Sequence, residues 1–167
     1  MLFPTDYDAE FDAVFGNPAH PAPDPTLYVS APDDPAVRPD GHEAWFVLVN
    51  APRHGSGPGA VDWRAPGLAD SYADRLLDLL DQRGLPVRDR LLWREVLTPA
   101  DLEERTGAVG GAIYGTSSNG AAAAFLRPAN RSPVKGLFLV GGSAHPGGGL
   151  PLVTLSAQIV AQLIGPA

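Results

Sequence analysis

The feature that most constrains the fold is a glycine-rich turn near the C-terminus. An apolar run, residues 137–140, leads into the sequence Gly141-Gly-Ser-Ala-His-Pro-Gly-Gly-Gly149, and an apolar periodic segment follows Pro151. This order predicts a strand, a turn and a helix. Glycine permits positive φ and a close approach to the backbone, while a helix start presents unpaired N–H groups with partial positive charge. The turn therefore predicts a site for a phosphate or the polar edge of a flat ring.

Three short apolar runs predict strands of one sheet. They are residues 27–31, 45–50 and 91–97, each of strand length and the last containing the β-favouring Trp93. Closely spaced prolines in residues 17–41 exclude a helix there and leave room only for the first of these strands.

Helices are predicted before, between and after these strands. Residues 1–16 have Thr5 as the expected N-cap and Gly16 as the stop. The apolar face expected for this first helix consists of Tyr7, Phe11, Val14 and Phe15.

The second helix has a leucine-rich face, ends before Gly84 and Pro86, and should cover one face of the sheet. Its expected inner residues are Leu68, Tyr72, Leu76, Leu79 and Leu80. The sequence Thr98-Pro-Ala-Asp101 predicts a third helix that runs to about Thr106. Residues 110–123, rich in Gly, Ser and Ala, predict a close-packed loop.

The predicted fold class is therefore α+β. Residues 1–126 are expected to form a partial region with an antiparallel or mixed sheet and covering helices. Residues 127–167 are expected to form the C-terminal strand, turn and helix.

Composition excludes several functions. The chain has 167 residues, 12 basic and 19 acidic, for a net charge of −7, so it has no electrostatic footprint for nucleic acid or for anionic lipid. No apolar run approaches the roughly 20 residues that span a bilayer, which predicts a cytoplasmic or peripheral location. With no cysteine and four scattered histidines, no metal site is expected.

The C-terminal segment resembles a known family. The sequence Phe125-Leu-Arg-Pro-Ala-Asn-Arg-Ser132, followed by Gly136-Leu-Phe-Leu-Val-Gly-Gly-Ser-Ala-His-Pro-Gly-Gly-Gly-Leu-Pro151, is similar to the flavin-contacting signature of bacterial-type carotenoid desaturases, including the phytoene desaturases. A weaker resemblance extends back to Phe3. It covers most of this chain but only about the last third of a family member.

The resemblance implies that FAD is the cofactor and that the turn contacts it. Gly141 and Gly142 would approach the phosphate or ribityl part, whereas the helix start would approach the pyrimidine end of the ring. The expected cofactor-binding residues are Gly141, Gly142, Gly148, Gly149, Leu150 and Pro151. An ordinary βα corner that binds nothing is the alternative.

No catalytic residue is assigned. His145 lies before Pro146 in the turn and is expected to fix the turn rather than act as a base, because hydride chemistry belongs to the cofactor. Arg127 and Arg131 are expected to anchor this connection, to lie near the cofactor, or to form ion pairs. The aromatic residues Trp45, Phe46, Trp93 and Phe125 are expected in a substrate channel or simply in the core. Ser117, Ser118 and Asn119 are assigned to a loop.

The resemblance implies a long apolar isoprenoid or carotenoid substrate and peripheral membrane contact by apolar surface. Family members bind FAD with an N-terminal strand, G-x-G-x-x-G and helix, which this chain lacks. The chain alone should not bind FAD tightly. It is expected to need the missing half in trans, to self-associate, or to be unstable, because an unpaired apolar strand invites association.

Two readings of the reaction stay open. The turn sequence departs from that of many phytoene desaturases and is similar to relatives acting later on the polyene, so the product is either a new double bond or an oxygenated end. A non-catalytic remnant or binding domain with an apolar cleft is the alternative from another class.

Overall fold

The structure, a computed structural model, describes residues 1–115 and 127–166. They are α+β, as predicted, and the chain folds as two compact units, Met1–Asp101 and Leu102–Ala167. The predicted functional division after residue 126 is a separate matter from this structural boundary, and it stays a prediction.

The first helix, α1, spans Tyr7–Phe15. Its N-cap is Asp6 and not Thr5, because the Asp6 carboxylate accepts hydrogen bonds from the backbone N–H groups of Asp8 and Ala9, both at 3.1 Å. A carboxylate at this position also stabilises the helix, because its negative charge lies at the positive end of the helix dipole. The predicted stop at Gly16 is confirmed.

The buried face of α1 differs from the predicted one. It consists of Glu10, Ala13 and Val14, while the aromatic side chains predicted to be buried are exposed. Glu10 can be buried because hydrogen bonds from Thr26 and Asn50 satisfy its carboxylate. The exposed rings contact one another in a row, with centroids 5.2–6.2 Å apart. In order, they are Phe3, Tyr7, Phe11 and Phe15.

Strands β1 (Tyr28–Ser30) and β2 (Phe46–Leu48) pair antiparallel, which confirms that these two runs share a sheet. Val29 lies opposite Val47, and both pack against the buried cluster of Leu27, Leu79 and Leu80. Residues alternate between the faces of a strand, so the pair has an inner valine face and a separate outer face.

A second strand pair was not predicted. Strands β3 (Arg53–His54) and β4 (Ala60–Val61) are parallel and join across a short loop. Each has only two residues, too few for a sequence pattern to indicate. The buried Trp63 follows β4 and donates its indole N–H to the carbonyl of Pro52 at 2.9 Å.

The helix α2 spans Leu68–Gln82, as predicted, and buries Leu79 and Leu80. Its acidic residues lie off the buried face, where arginines that follow the helix pair with them. Arg94 bonds the Asp74 carboxylate at 2.6 Å, and Arg88 bonds that of Asp78.

The strand predicted at residues 91–97 is wrong. A 3₁₀ turn, Arg88–Arg90, precedes this segment, which pairs with no strand in the part of the chain that the structure describes. Leu92 and Trp93 are 72% and 76% exposed. The segment has the side chains of a strand, but β propensity alone does not form one, because the backbone needs a hydrogen-bonded neighbour.

The helix α3 spans Pro99–Thr106, as predicted. Thr98 and Asp101 cap its start reciprocally: the Thr98 N–H donates to the Asp101 carboxylate at 2.7 Å, and the Asp101 N–H donates to the Thr98 hydroxyl at 3.3 Å. A 3₁₀ turn, Val109–Gly111, opens the loop predicted at 110–123, of which residues 116–123 lie outside the described part.

Candidate functional site

The segment before the glycine turn is extended but is not a strand of a sheet. Its one pairing in the described residues is an antiparallel bridge between Phe138 and Arg131, flanked by a 2.8 Å bond from the Leu139 N–H to the Asn130 carbonyl. The apolar residues Leu137, Leu139 and Val140 are exposed. Instead of the predicted strand at 137–140, this segment forms a single bridge in the described residues. A strand needs a neighbouring segment that pairs with it over several residues.

The helix after the turn, α4, spans Leu150–Ile164. Its N-cap is Gly149 with φ 93°, and no side chain caps its start. Pro151 has no N–H, so the unpaired donors of the first turn belong to Leu150 and Leu152. The first turn contains no acidic residue, which leaves the positive end of the helix uncompensated from within.

Four of the six predicted cofactor-binding residues present open surface. A Cβ built on Gly141 (φ 114°) or on Gly149 would meet no atom of the described residues within 4 Å. Leu150 is 86% exposed, and Pro151 is also exposed. A ligand could therefore approach the backbone here.

Gly142 and Gly148 are instead packed within the chain. A Cβ on Gly148 would overlap the ring of Tyr114, and one on Gly142 would meet the Cα of Gly148 at 3.4 Å. Only at Gly148 is the space too small for a Cβ, whereas one at Gly142 would make an ordinary contact. Contact of either with a cofactor stays a prediction.

Arg127 anchors the turn through backbone carbonyls. Its guanidinium donates to the carbonyls of Tyr114 and Gly142, both at 2.8 Å. The neighbouring arginine, Arg131, lies over the ring of Phe138, 5.9 Å from its centroid. Of the roles considered from sequence, the structure gives Arg127 that of an anchor for this connection.

His145 is exposed, and its backbone is held on both sides. Its N–H donates to the Pro128 carbonyl at 2.9 Å, its carbonyl accepts from the Asn130 side chain at 2.9 Å, and the peptide bond to Pro146 is cis. These contacts agree with the predicted turn-fixing role.

Sequence reasoning missed Asn130 and Ser156, which are buried beside the turn. The available signals were a lone amide in the Arg-Pro-Ala-Asn-Arg sequence and a lone hydroxyl on the inner side of an apolar helix. Tyr114, which lies against Gly148, was also missed.

In the first unit, the outer face of the β1–β2 pair is apolar and exposed. Tyr28, Phe46 and Leu48 alternate with the inner valines and are all exposed. A small cavity of about 60 Å³ at the α1 end is lined by Glu10, Phe11, Val14, Phe15 and Asn50.

The three described residues of the predicted aromatic channel lie in different settings. Phe46 is on the outer face, Trp45 is half-buried and donates its indole N–H to Glu43 at 2.6 Å, and Trp93 is exposed on the unpaired segment. Phe125, Ser117, Ser118 and Asn119 lie outside the described residues.

A second cavity in the first unit, of about 620 Å³, has a mixed lining in which Asp70, Arg94 and Glu95 lie with apolar residues such as Trp63 and Val96. The charged groups make this cavity less suited to a hydrocarbon ligand than the apolar outer face of the β1–β2 pair.

Arg94 also acts on Asp74, which does not line the cavity. The Arg94 hydrogen bond, with Arg88 nearby, lowers the pKa of Asp74 below its ordinary value.

Residues 1–115 and 127–166 lack two kinds of feature. None of their helices is both long enough and apolar enough to cross a bilayer. No group of three or more His, Cys, Asp or Glu side chains there is arranged to hold a metal ion.

Comparison with known proteins gives close relatives of one kind, although no family model matches the chain. The chain is 39% identical over 168 residues to a 1-hydroxycarotenoid 3,4-desaturase of Flavobacterium sp., covering 98% of this chain and 33% of that protein. It is 34% identical to a carotenoid 3,4-desaturase of Haloarcula japonica, covering 98% and 32%. It is 36% identical to a 4,4'-diaponeurosporene oxygenase of Staphylococcus haemolyticus, again covering 98% and 32%.

These relatives confirm the resemblance to carotenoid desaturases along nearly the whole chain. The chain spans about a third of the length of the curated relatives that it matches.

Proposed function

We propose that this chain, homologous along nearly all its length to a third of a carotenoid desaturase, is part of an FAD-dependent oxidoreductase that removes hydride from a long isoprenoid polyene. Residues 1–126 would form part of the substrate region, and residues 127–167 would close the cofactor site. The observation that carries the proposal is the open glycine backbone at Gly141 and Gly149, directly before an uncapped helix start.

The residues at this corner fit a flavin nucleotide. Gly141 and Gly149 leave room for a ring or a phosphate to lie against the backbone, and the first-turn N–H groups of Leu150 and Leu152 can donate to an acceptor. The positive end of α4 would favour a negatively charged group by about 0.3–2 kcal/mol. When bound, FAD supplies the hydride acceptor, and the chain's own residues orient it.

The outer face of the β1–β2 pair suits the substrate. Tyr28, Phe46 and Leu48 form an exposed apolar surface on which a polyene could lie, and burying it there would release water from both surfaces. Relatives named for carotenoid substrates support this choice of ligand.

The FAD-binding strand, G-x-G-x-x-G and helix are proposed to come from polypeptide outside these 167 residues, either in the same chain or in a partner. In the exposed extended segment at 137–140, the backbone groups of Leu137 and Leu139 are bonded within the chain. The opposite edge of the segment, at Phe138 and Val140, could join a sheet supplied by that part or, failing that, by a second copy. The location proposed is cytoplasmic, with peripheral contact at the inner face of the membrane through apolar surface such as the exposed aromatic row of α1.

Oxygenation of a polyene end is a second candidate reaction. The 36% identity to a diaponeurosporene oxygenase supports it, at the same coverage as the desaturases. Product analysis decides between the two, because desaturation adds a double bond whereas oxygenation adds oxygen to the chain end.

The test is co-expression of this chain with a polypeptide that carries a strand, G-x-G-x-x-G and a helix from a carotenoid desaturase. We expect a co-purifying yellow complex with a flavin spectrum that converts an apolar polyene. A colourless pair that does not associate would refute the proposal and favour the non-catalytic binding domain.

A further inference from the structure

One buried amide ties together the three parts of the glycine corner. Asn130 is 4% exposed, and its side-chain nitrogen lies 2.9 Å from the carbonyl of Leu139, 2.9 Å from the carbonyl of His145 and 2.9 Å from the Ser156 hydroxyl. These partners belong to the extended segment, the turn and α4. An amide nitrogen has two hydrogens, so three acceptors share them.

Ser156 completes the connection from the helix side. It is fully buried, and its hydroxyl oxygen accepts from the backbone N–H of Gly141 at 3.2 Å as well as from Asn130. A hydroxyl at 0% exposure on an apolar helix is costly to bury unless it is bonded, and here it is bonded to the first residue of the turn.

This arrangement determines which part of Gly141 faces a ligand. Its N–H is already used by Ser156, so the residue offers its bare Cα, on the side where a built Cβ would meet no atom. Further donors come from the start of α4, where the first-turn N–H groups have no intrahelical acceptor. The two contributions are complementary: a flat surface at Gly141 and hydrogen-bond donors at Leu150 and Leu152.

We infer that Asn130 and Ser156 are positioning residues that hold the Gly141–Pro151 turn open before a flavin nucleotide binds. They act through the backbone of the turn. The inference rests on the proposed function for the identity of the ligand, whereas the shape of the turn can be measured without any ligand.

The first experiment is residue-resolved hydrogen exchange by NMR on the full chain. Ser156→Ala should speed exchange of the Gly141 amide by about tenfold, the loss expected for one hydrogen bond. Thr154→Ala is the control, because the Thr154 hydroxyl donates to the Leu150 carbonyl at 2.9 Å on the exposed side of the same helix. Unchanged exchange at Gly141 in Ser156→Ala, or unprotected exchange there in the parent chain, would overturn the inference.

Asn130→Ser is the second variant, and it removes the side-chain bonds to the carbonyls of Leu139 and His145. Because these bonds hold the two segments in place, their loss should speed exchange of the Leu139 and His145 amides, which donate to the carbonyls of Asn130 and Pro128, as well as exchange at Gly141. If this variant fails to fold, Ser156→Ala alone decides the question.

The second experiment uses the co-expressed complex and follows the visible spectrum of the flavin. Ser156→Ala should shift that spectrum and weaken flavin retention by about tenfold, while Thr154→Ala should match the parent. A parent complex without flavin refutes the proposed function and leaves the exchange result to decide the positioning role. A parent complex with flavin that Ser156→Ala leaves unaltered refutes the positioning role alone.

Discussion

The carboxylate of Glu10 accepts two hydrogen bonds from Thr26, at 3.0 Å from its backbone N–H and at 2.7 Å from its hydroxyl. The other carboxylate oxygen accepts from the Asn50 side chain at 3.0 Å. Glu10 therefore joins α1 to the residues just outside β1 and β2.

Glu10→Gln should destabilise the chain by about 1–3 kcal/mol, because one acceptor oxygen becomes a donor that faces other donors. Chemical denaturation followed by circular dichroism measures the change. Asp12→Asn, on the exposed side of the same helix, is the control and should change the unfolding free energy by less than about 0.5 kcal/mol. Equal effects of the two variants would contradict a role for the buried bonds.

Tyr72 should make stability depend on alkaline pH. Burial, and to a lesser extent the Glu10 carboxylate, raises the pKa of the Tyr72 hydroxyl, which donates to the Ala22 carbonyl at 3.0 Å. As the pH rises, the unfolded chain therefore loses the Tyr72 proton at a lower pH than the folded chain does. The stability that the protonated hydroxyl contributes is present below about pH 10 and is lost as the pH rises above that value. Tyr72→Phe should reduce this alkaline loss of stability, measured as the unfolding free energy at increasing pH. Tyr28→Phe, at an exposed position, is the control and should leave the loss unchanged.

Asp74 should titrate below the ordinary range for an aspartate. The hydrogen bond from Arg94 is the main cause that lowers the pKa of Asp74, with Arg88 contributing. A depressed pKa means that the stabilisation is present above about pH 4 and is lost as the pH falls through the folded value. In a carboxyl NMR titration, Arg94→Gln should raise the pKa of Asp74, and no change would refute the pairing.

A methyl group added at Gly148 should destabilise the chain because it would clash with Tyr114. Since the added Cβ of Gly148→Ala would overlap the tyrosine ring, we expect a loss of about 1–3 kcal/mol. Tyr114→Ala in the same chain should recover most of it, and thermal unfolding of the four species in a double-mutant cycle measures the coupling. Gly149→Ala is the comparison, since its φ of 93° is strained for alanine but its Cβ meets no atom. Tyr114→Ala should not recover the stability lost in Gly149→Ala.

Sequence pattern was sufficient where the signal is local. Three features depend on neighbours within a few residues, and each forms as expected: the cap at Thr98 and Asp101, the leucine face of α2 and the helix that follows the glycine turn. The openness of the backbone at Gly141 and Gly149 is also a local property of this turn, while its contact with a cofactor stays a prediction.

The failures depend on distant partners. Burial of Glu10 needs Thr26 and Asn50, which the spacing of apolar residues in α1 does not reveal. Residues 91–97 have strand-like side chains but no neighbouring strand in the described chain. Asn130 and Ser156 are 26 positions apart and resemble ordinary loop and helix residues until the fold joins them.

The start of α4 should be sensitive to added negative charge. Leu150 is exposed in the uncapped, acid-free first turn, so Leu150→Glu places a carboxylate beside the donors proposed to meet the flavin. By itself the change favours the helix, because a negative charge suits its positive end. In the complex it should compete with the cofactor and weaken flavin retention by about tenfold or more, as lost interactions of about 1.4 kcal/mol would. Gln158→Glu adds the same charge to an exposed mid-helix position and is the control. Equilibrium dialysis of the two complexes measures the difference, and equal retention by both would place the flavin away from this helix start.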